Sequence, residues 1–192
     1  MTGRTGLLWD TPLMFSRLIE DCGAACESVN PNMLASPFWR GKFAALIVPT
    51  GFANPAYSNL LPALRAAEGR IRRFVENGGR LLVFGAGCSR EDAYDWLPFP
   101  VTYSFGYGPR AVRFAGESTF NSLFSGYDLD AVECDGSFPA HGGETLAATP
   151  GGETLLVGKP LGDGMILATS IHEYPSREFL KEFSCGDRET LF

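Results

Sequence analysis

The chain has little histidine, no excess of positive charge and no long hydrophobic run. Two histidines in 192 residues are too few for a histidine-rich metal site. Sixteen Lys and Arg against 22 Asp and Glu give a formal net charge of −6. That balance argues against nucleic acid or an anionic membrane as the main partner, because phosphate contact needs a basic face. No stretch approaches the ~20 apolar residues of a membrane span, and the opening MTGRTGLLWD lacks the pattern of a signal peptide. The five cysteines are odd in number and lack the spacing of a disulfide framework, which fits a reducing compartment. The expectation is a cytoplasmic protein with neither metal nor cofactor.

What is present reads as one α/β domain over residues 1–192, long enough to bury ~70% of its unfolded surface. Thr5 to Trp9 reads as a strand ending at Asp10, and Thr11-Pro12 opens a helix ended by Gly23. Cys26 to Val29 is a second strand, Pro31 to Lys42 irregular, and Phe43 to Val48 a buried strand broken by Pro49-Thr50-Gly51. Leu60 to Asn77 carries a helical apolar stripe and stops at Gly78-Gly79. Strands and helices alternating at this spacing predict a three-layer, flavodoxin-like, mostly parallel sheet with helices on both faces. Ligands bind such sheets at the carboxyl ends of the strands, where the segments after Asp10, Val48 and Phe84 gather.

The second half is richer in β signals. Val101 to Phe114 reads as extended structure with a turn at Gly106-Tyr107-Gly108-Pro109. Two tandem copies, GGETLAATP from Gly142 and GGETLLVGKP from Gly151, predict an antiparallel hairpin. Met165 to Ile171 is a last buried strand that delivers His172-Glu173, and Pro175-Ser176 opens a final helix through Phe183.

The segment most suggestive of a site is Ile71–Arg90, IRRFVENGGRLLVFGAGCSR. A tight turn from strand to helix lifts one side chain above the sheet in many α/β enzymes. Here the residue leaving the strand is Gly85, and the first thiol, Cys88, comes three residues later. A helix starting near Cys88 would lower its thiol pKa; an ordinary structural thiol is the competing reading. His172, at a strand end, is placed as a base would be, or as a hydrogen-bonded residue without catalytic duty. His141, beside Gly142-Gly143, reads as surface. Arg70, Arg72, Arg73 and Arg80 read as cations stabilising a helix end, and the acidic run Asp128, Asp130, Glu133, Asp135 as a solvated turn. Tyr94, Trp96, Phe99, Tyr103, Phe105 and Tyr107 divide between core and a pocket or exposed patch.

Together, Pro49-Thr50-Gly51, the Gly78-Gly79 stop, the elbow Phe84-Gly85-Ala86-Gly87 and Gly164 through Glu173 resemble the class I glutamine amidotransferase-like superfamily. Within it, the chain is similar to small stand-alone members akin to the N-terminal domain of biotin-protein ligase, over roughly residues 43 to 178. The resemblance implies a thiolate nucleophile, a histidine that manages protons and a carboxylate that orients it. It places Gly85 at the nucleophile position, His172 on the histidine and Glu173 on the carboxylate, with no proline between the last two. Two functions follow as expectations. One is a non-catalytic domain binding a small ligand or protein partner at the edge formed by Thr50, Gly51, Gly85, Ala86 and Gly87. The other is a cysteine-dependent amidotransferase or hydrolase using Cys88, His172 and Glu173. Self-association through exposed aromatics is a third possibility.

Overall fold

The computed structural model describes residues 3–184 and 188–192. Along the chain run β1 (Arg4–Leu8), α1 (Phe15–Asp21), β2 (Ala25–Val29), α2 (Pro31–Ala35), β3 (Lys42–Phe43), β4 (Ala45–Val48), α3 (Leu60–Glu76) and β5 (Arg80–Val83). The second half adds β6 (Val101–Arg110), β7 (Arg113–Phe114), a 3-10 turn (Thr119–Phe124) and β8 (Val132–His141). It ends with β9 (Glu144–Ala148), β10 (Thr154–Leu161), β11 (Gly164–Thr169), α4 (Arg177–Ser184) and β12 (Thr190–Leu191). An eight-stranded sheet in the order β2-β1-β4-β5-β11-β10-β9-β7 forms the centre. Its first five strands are parallel and its last three pair antiparallel. This is the expected three-layer, mostly parallel α/β fold, with the tandem GGETL segments forming the hairpin β9–β10 at one side.

Burial on both faces explains why the central strands are continuous apolar runs. Alternate residues go to opposite faces. Leu46, Val48, Leu81 and Val83 join one core with α3, whereas Ala45, Ile47 and Leu82 join the other with α1 and α4. The α3 stripe Leu60, Leu64, Ile71, Phe74 and Val75 is buried. Its end is a Schellman closure: Gly78 at φ +102°, with the Gly78 and Gly79 amides donating to the Val75 and Phe74 carbonyls.

Several elements differ from the sequence-based expectation. Pro31 to Ala35 is a short helix capped by Asn30, whose side chain accepts from the Met33 amide, with Pro31 in the first turn. Phe43 to Val48 is divided at Ala44, and the β3 part pairs with β12. Residues 106–109 make no reversal: β6 runs through them against β8, with an irregularity between Phe105 and Gly108 absorbing the extra residue. Glu133 and Asp135 belong to β8 rather than to a solvated turn. No α-helix starts at Cys88; residues 91–99 form turns and bends.

Of the four arginines expected to stabilise a helix end, two reach the carbonyls of other helices. Arg80 donates to the Glu182 and Phe183 carbonyls at the end of α4, and Arg70 to the Leu34 carbonyl near the end of α2. Arg72 pairs with Glu76 one turn on.

Candidate functional site

The loops after β4 and β5 lie against each other at the carboxyl edge of the sheet. The Gly51 amide donates to the Gly85 carbonyl at 2.9 Å and the Ala53 amide to Ala86 at 3.3 Å. The Asn54 Nδ2 amide donates to the Gly87 carbonyl at 3.1 Å. A β-carbon on Gly87 would lie 2.6 Å from Gly51 Cα. With φ of +71° at Gly87 and +86° at Gly51, only glycine suits this crossing. Thr50, Gly51, Gly85, Ala86 and Gly87 are thereby brought together by backbone, as a rigid floor.

Over that floor sits a pair that joins two sheets. The ribbon β6–β8 touches the main sheet at a bridge between Cys134 and Ile171. The Asp135 amide donates to the Ser170 carbonyl, and the His172 amide to that of Glu133. This registers Asp135 against His172, whose Nδ1 lies 2.7 Å from Asp135 Oδ1. The Asp135 side chain is 5% exposed and that of His172 47%. A buried carboxylate on Nδ1 assigns the ring proton there and leaves Nε2 as an acceptor in the neutral ring. The Tyr107 ring stands edge-on to the imidazole at 5.0 Å. Its phenol is pushed up by the neighbouring Glu133 carboxylate.

Asp135, not Glu173, is thus the carboxylate on His172. Glu173 is exposed, and no hydrogen bond or ion pair joins it to His172 among the described residues. The partner comes instead from β8, which the Cys134–Ile171 bridge brings alongside. The sequence does carry a signal for it: Val132, Cys134 and Phe138 keep the period-two spacing of a strand, which puts Asp135 in sheet rather than in solvent.

The space in front of Gly85 is filled by neighbouring side chains. A β-carbon built on Gly85 would stand 2.8 Å from Tyr103 Oη, 2.9 Å from Asp135 Cβ and 3.3 Å from Asp135 Oδ2. Tyr103 is held by donating to the Asp135 carbonyl at 2.9 Å. It packs with Tyr94 and Phe138 at ring separations of 5.5 and 5.6 Å. Asp135 Oδ2 is buried with no hydrogen-bond partner.

Cys88 packs against the core containing α3. Burial pushes its thiol up, and the opposing pull of Arg90 is smaller. No hydrogen bond joins it to His172 among the described residues. With no helix start beside it, the activating field expected from the sequence is missing.

A groove of about 750 Å³ opens beside the pair, at the ends of β1, β4, β5 and β11. Trp9, Leu13, Phe15, Leu18 and Phe84 wall it, and Thr50 and His172 line it as well. Tyr174 lies on the Phe15 ring at 4.6 Å. Thr50 Oγ1 is buried and unpartnered.

Comparison with protein-family models and with curated proteins finds no match. Among solved structures, the chain is similar to a candidate GMP synthase component of Thermoplasma acidophilum, at a TM-score of 0.59 and 12% identity over 95% of this chain and 92% of that one. A cytoplasmic protein of Salmonella typhimurium LT2 is similar at a TM-score of 0.51 and 14% identity over 93% of each chain. A β-galactosidase of Halorubrum lacusprofundi is similar at 0.53 and 12%, where the match covers 95% of this chain and 29% of the enzyme. At these identities the likeness is one of fold. Among the described residues no helix is long and apolar enough to cross a membrane.

Proposed function

We propose that the protein is a non-catalytic, class I amidotransferase-like domain of the cytoplasm, spanning residues 1–192, that binds a small molecule or protein partner at the carboxyl edge of its sheet. The observation carrying this is the space at Gly85. A nucleophile side chain there would collide with Asp135 and Tyr103, whose own atoms occupy its place. The fold likeness to a candidate GMP synthase component supports the amidotransferase-like frame, and the open groove beside His172 supports binding. A hydrolase using Cys88, His172 and Glu173 is opposed by the raised, core-packed thiol and by Asp135 in the carboxylate role.

Ammonia release from glutamine and from simple amides tests the proposal. No turnover above buffer is expected. Turnover abolished in both Cys88→Ala and His172→Ala would overturn it.

A further inference from the structure

The groove's chemistry narrows what it binds. Its volume, about 750 Å³, falls within the range of small-molecule sites, which combine apolar walls with a few placed polar groups. Trp9 on the wall and Tyr174 at the mouth, both open to solvent, suit a flat ring system, because aromatic faces and edges attract one another. The charged side chains at the rim, Glu173 and Arg177, are opposite in sign and select for neither cation nor anion.

The polar groups are more selective. His172 lines the groove, its Nδ1 is committed to Asp135, and its Nε2 has no protein partner among the described residues. In the neutral ring the buried Asp135 carboxylate keeps the proton on Nδ1, and Nε2 then offers a lone pair. A ligand matching it carries a hydroxyl hydrogen for His172.

Resting on the binding role proposed above, we propose that the groove binds uncharged aromatic hydroxyl compounds of one or two rings, the hydroxyl donating to His172 Nε2 while the rings lie against Trp9 and Tyr174. The Asp135 carboxylate orients the ring of His172 and fixes its tautomer, and so acts as a positioning residue for recognition. A ligand without the hydroxyl hydrogen leaves Nε2 facing an apolar surface, at a cost comparable to a lost hydrogen bond.

Calorimetric titration of the full chain with 2-naphthol and with 2-fluoronaphthalene, the same apolar body with and without the donor, tests this. Wild type is expected to bind 2-naphthol about tenfold more tightly. The preference should vanish in His172→Ala, checked for an unchanged far-ultraviolet spectrum. Equal affinities in wild type, a preference surviving in His172→Ala, or no binding of either compound would overturn the inference. The failure of the non-catalytic reading is seen elsewhere, as ammonia release, so the two outcomes are separable.

Discussion

At position 85 the space left for a side chain is measured in tenths of an ångström. Contacts of 2.8 Å to Tyr103 Oη and 2.9 Å to Asp135 Cβ are closer than van der Waals packing allows, and both neighbours are anchored. Gly85→Ala is therefore expected to destabilise the fold by about 1–3 kcal/mol, the range of overpacked cores, as read by urea unfolding. A loss near zero would mean that Asp135 and Tyr103 yield easily, and that the position could hold a nucleophile. Gly85→Cys would direct a side chain at the same pair. Asp135 is the second decisive residue. Nitrogen NMR of His172 should show the neutral ring protonated at Nδ1 in wild type and, in Asp135→Asn, at Nε2, because the amide can donate to Nδ1. The same tautomer in both proteins would show that Asp135 does not set it.

Among the elements, α3 shows how a distant strand end starts a helix. Asp10, just past β1, accepts from the Asn59 amide at 3.0 Å and from the Ser58 hydroxyl, while Ser58 Oγ accepts from the Leu60 amide at 3.0 Å. Partial burial pushes the Asp10 carboxyl up, yet the bonds from Ser58 and Asn59 outweigh it and hold the group below its ordinary value. A lowered folded-state pKa means stability that is present above ~3.9 and lost as pH falls through the folded value. Asp10→Ala should cost about 1 kcal/mol at neutral pH, as for a lost helix cap, and the gap to wild type should narrow as pH falls through the lowered folded-state value. A gap independent of pH would assign the loss to packing.

Local signals explain which elements the sequence discloses. The α3 stripe with its double glycine, the buried runs of β4 and β5, and the tandem hairpin are each written within a few neighbouring residues. The α2 helix is also written, in Asn30-Pro31, but its five residues are too short for a periodic stripe. The β6–β8 pairing is hidden because its partners are far apart in the chain. So is the site's carboxylate: Asp135 and His172 are 37 residues apart and meet only through the bridge of Cys134 to Ile171. Thr50, Gly51, Gly85 and His172 are legible because they follow strands that sequence patterning locates. Cys88 misleads because the turn Phe84–Gly87 suggests a following helix, where Tyr94 instead turns inward to donate to the Phe84 carbonyl.

For the molecule as a whole, the ribbon β6–β8 couples the site to the core. Phe138 is fully buried and packs edge-on against Tyr94 at 5.7 Å. Phe138→Ala should cost about 3–5 kcal/mol in a single cooperative transition. A small loss, or a separate early transition, would mean that the ribbon is an appendage and that Asp135 reaches His172 without support from the core.

The rate of Cys88 alkylation against pH, followed by peptide mass mapping, bears most directly on the claim that this site has no working nucleophile. With its thiol raised by burial, Cys88 should label slowly at neutral pH. Its rate should climb only above the ~8.5 of an ordinary thiol, unchanged by His172→Ala. Fast labelling near pH 6 that slows in His172→Ala would reveal a histidine-activated thiolate and contradict the account.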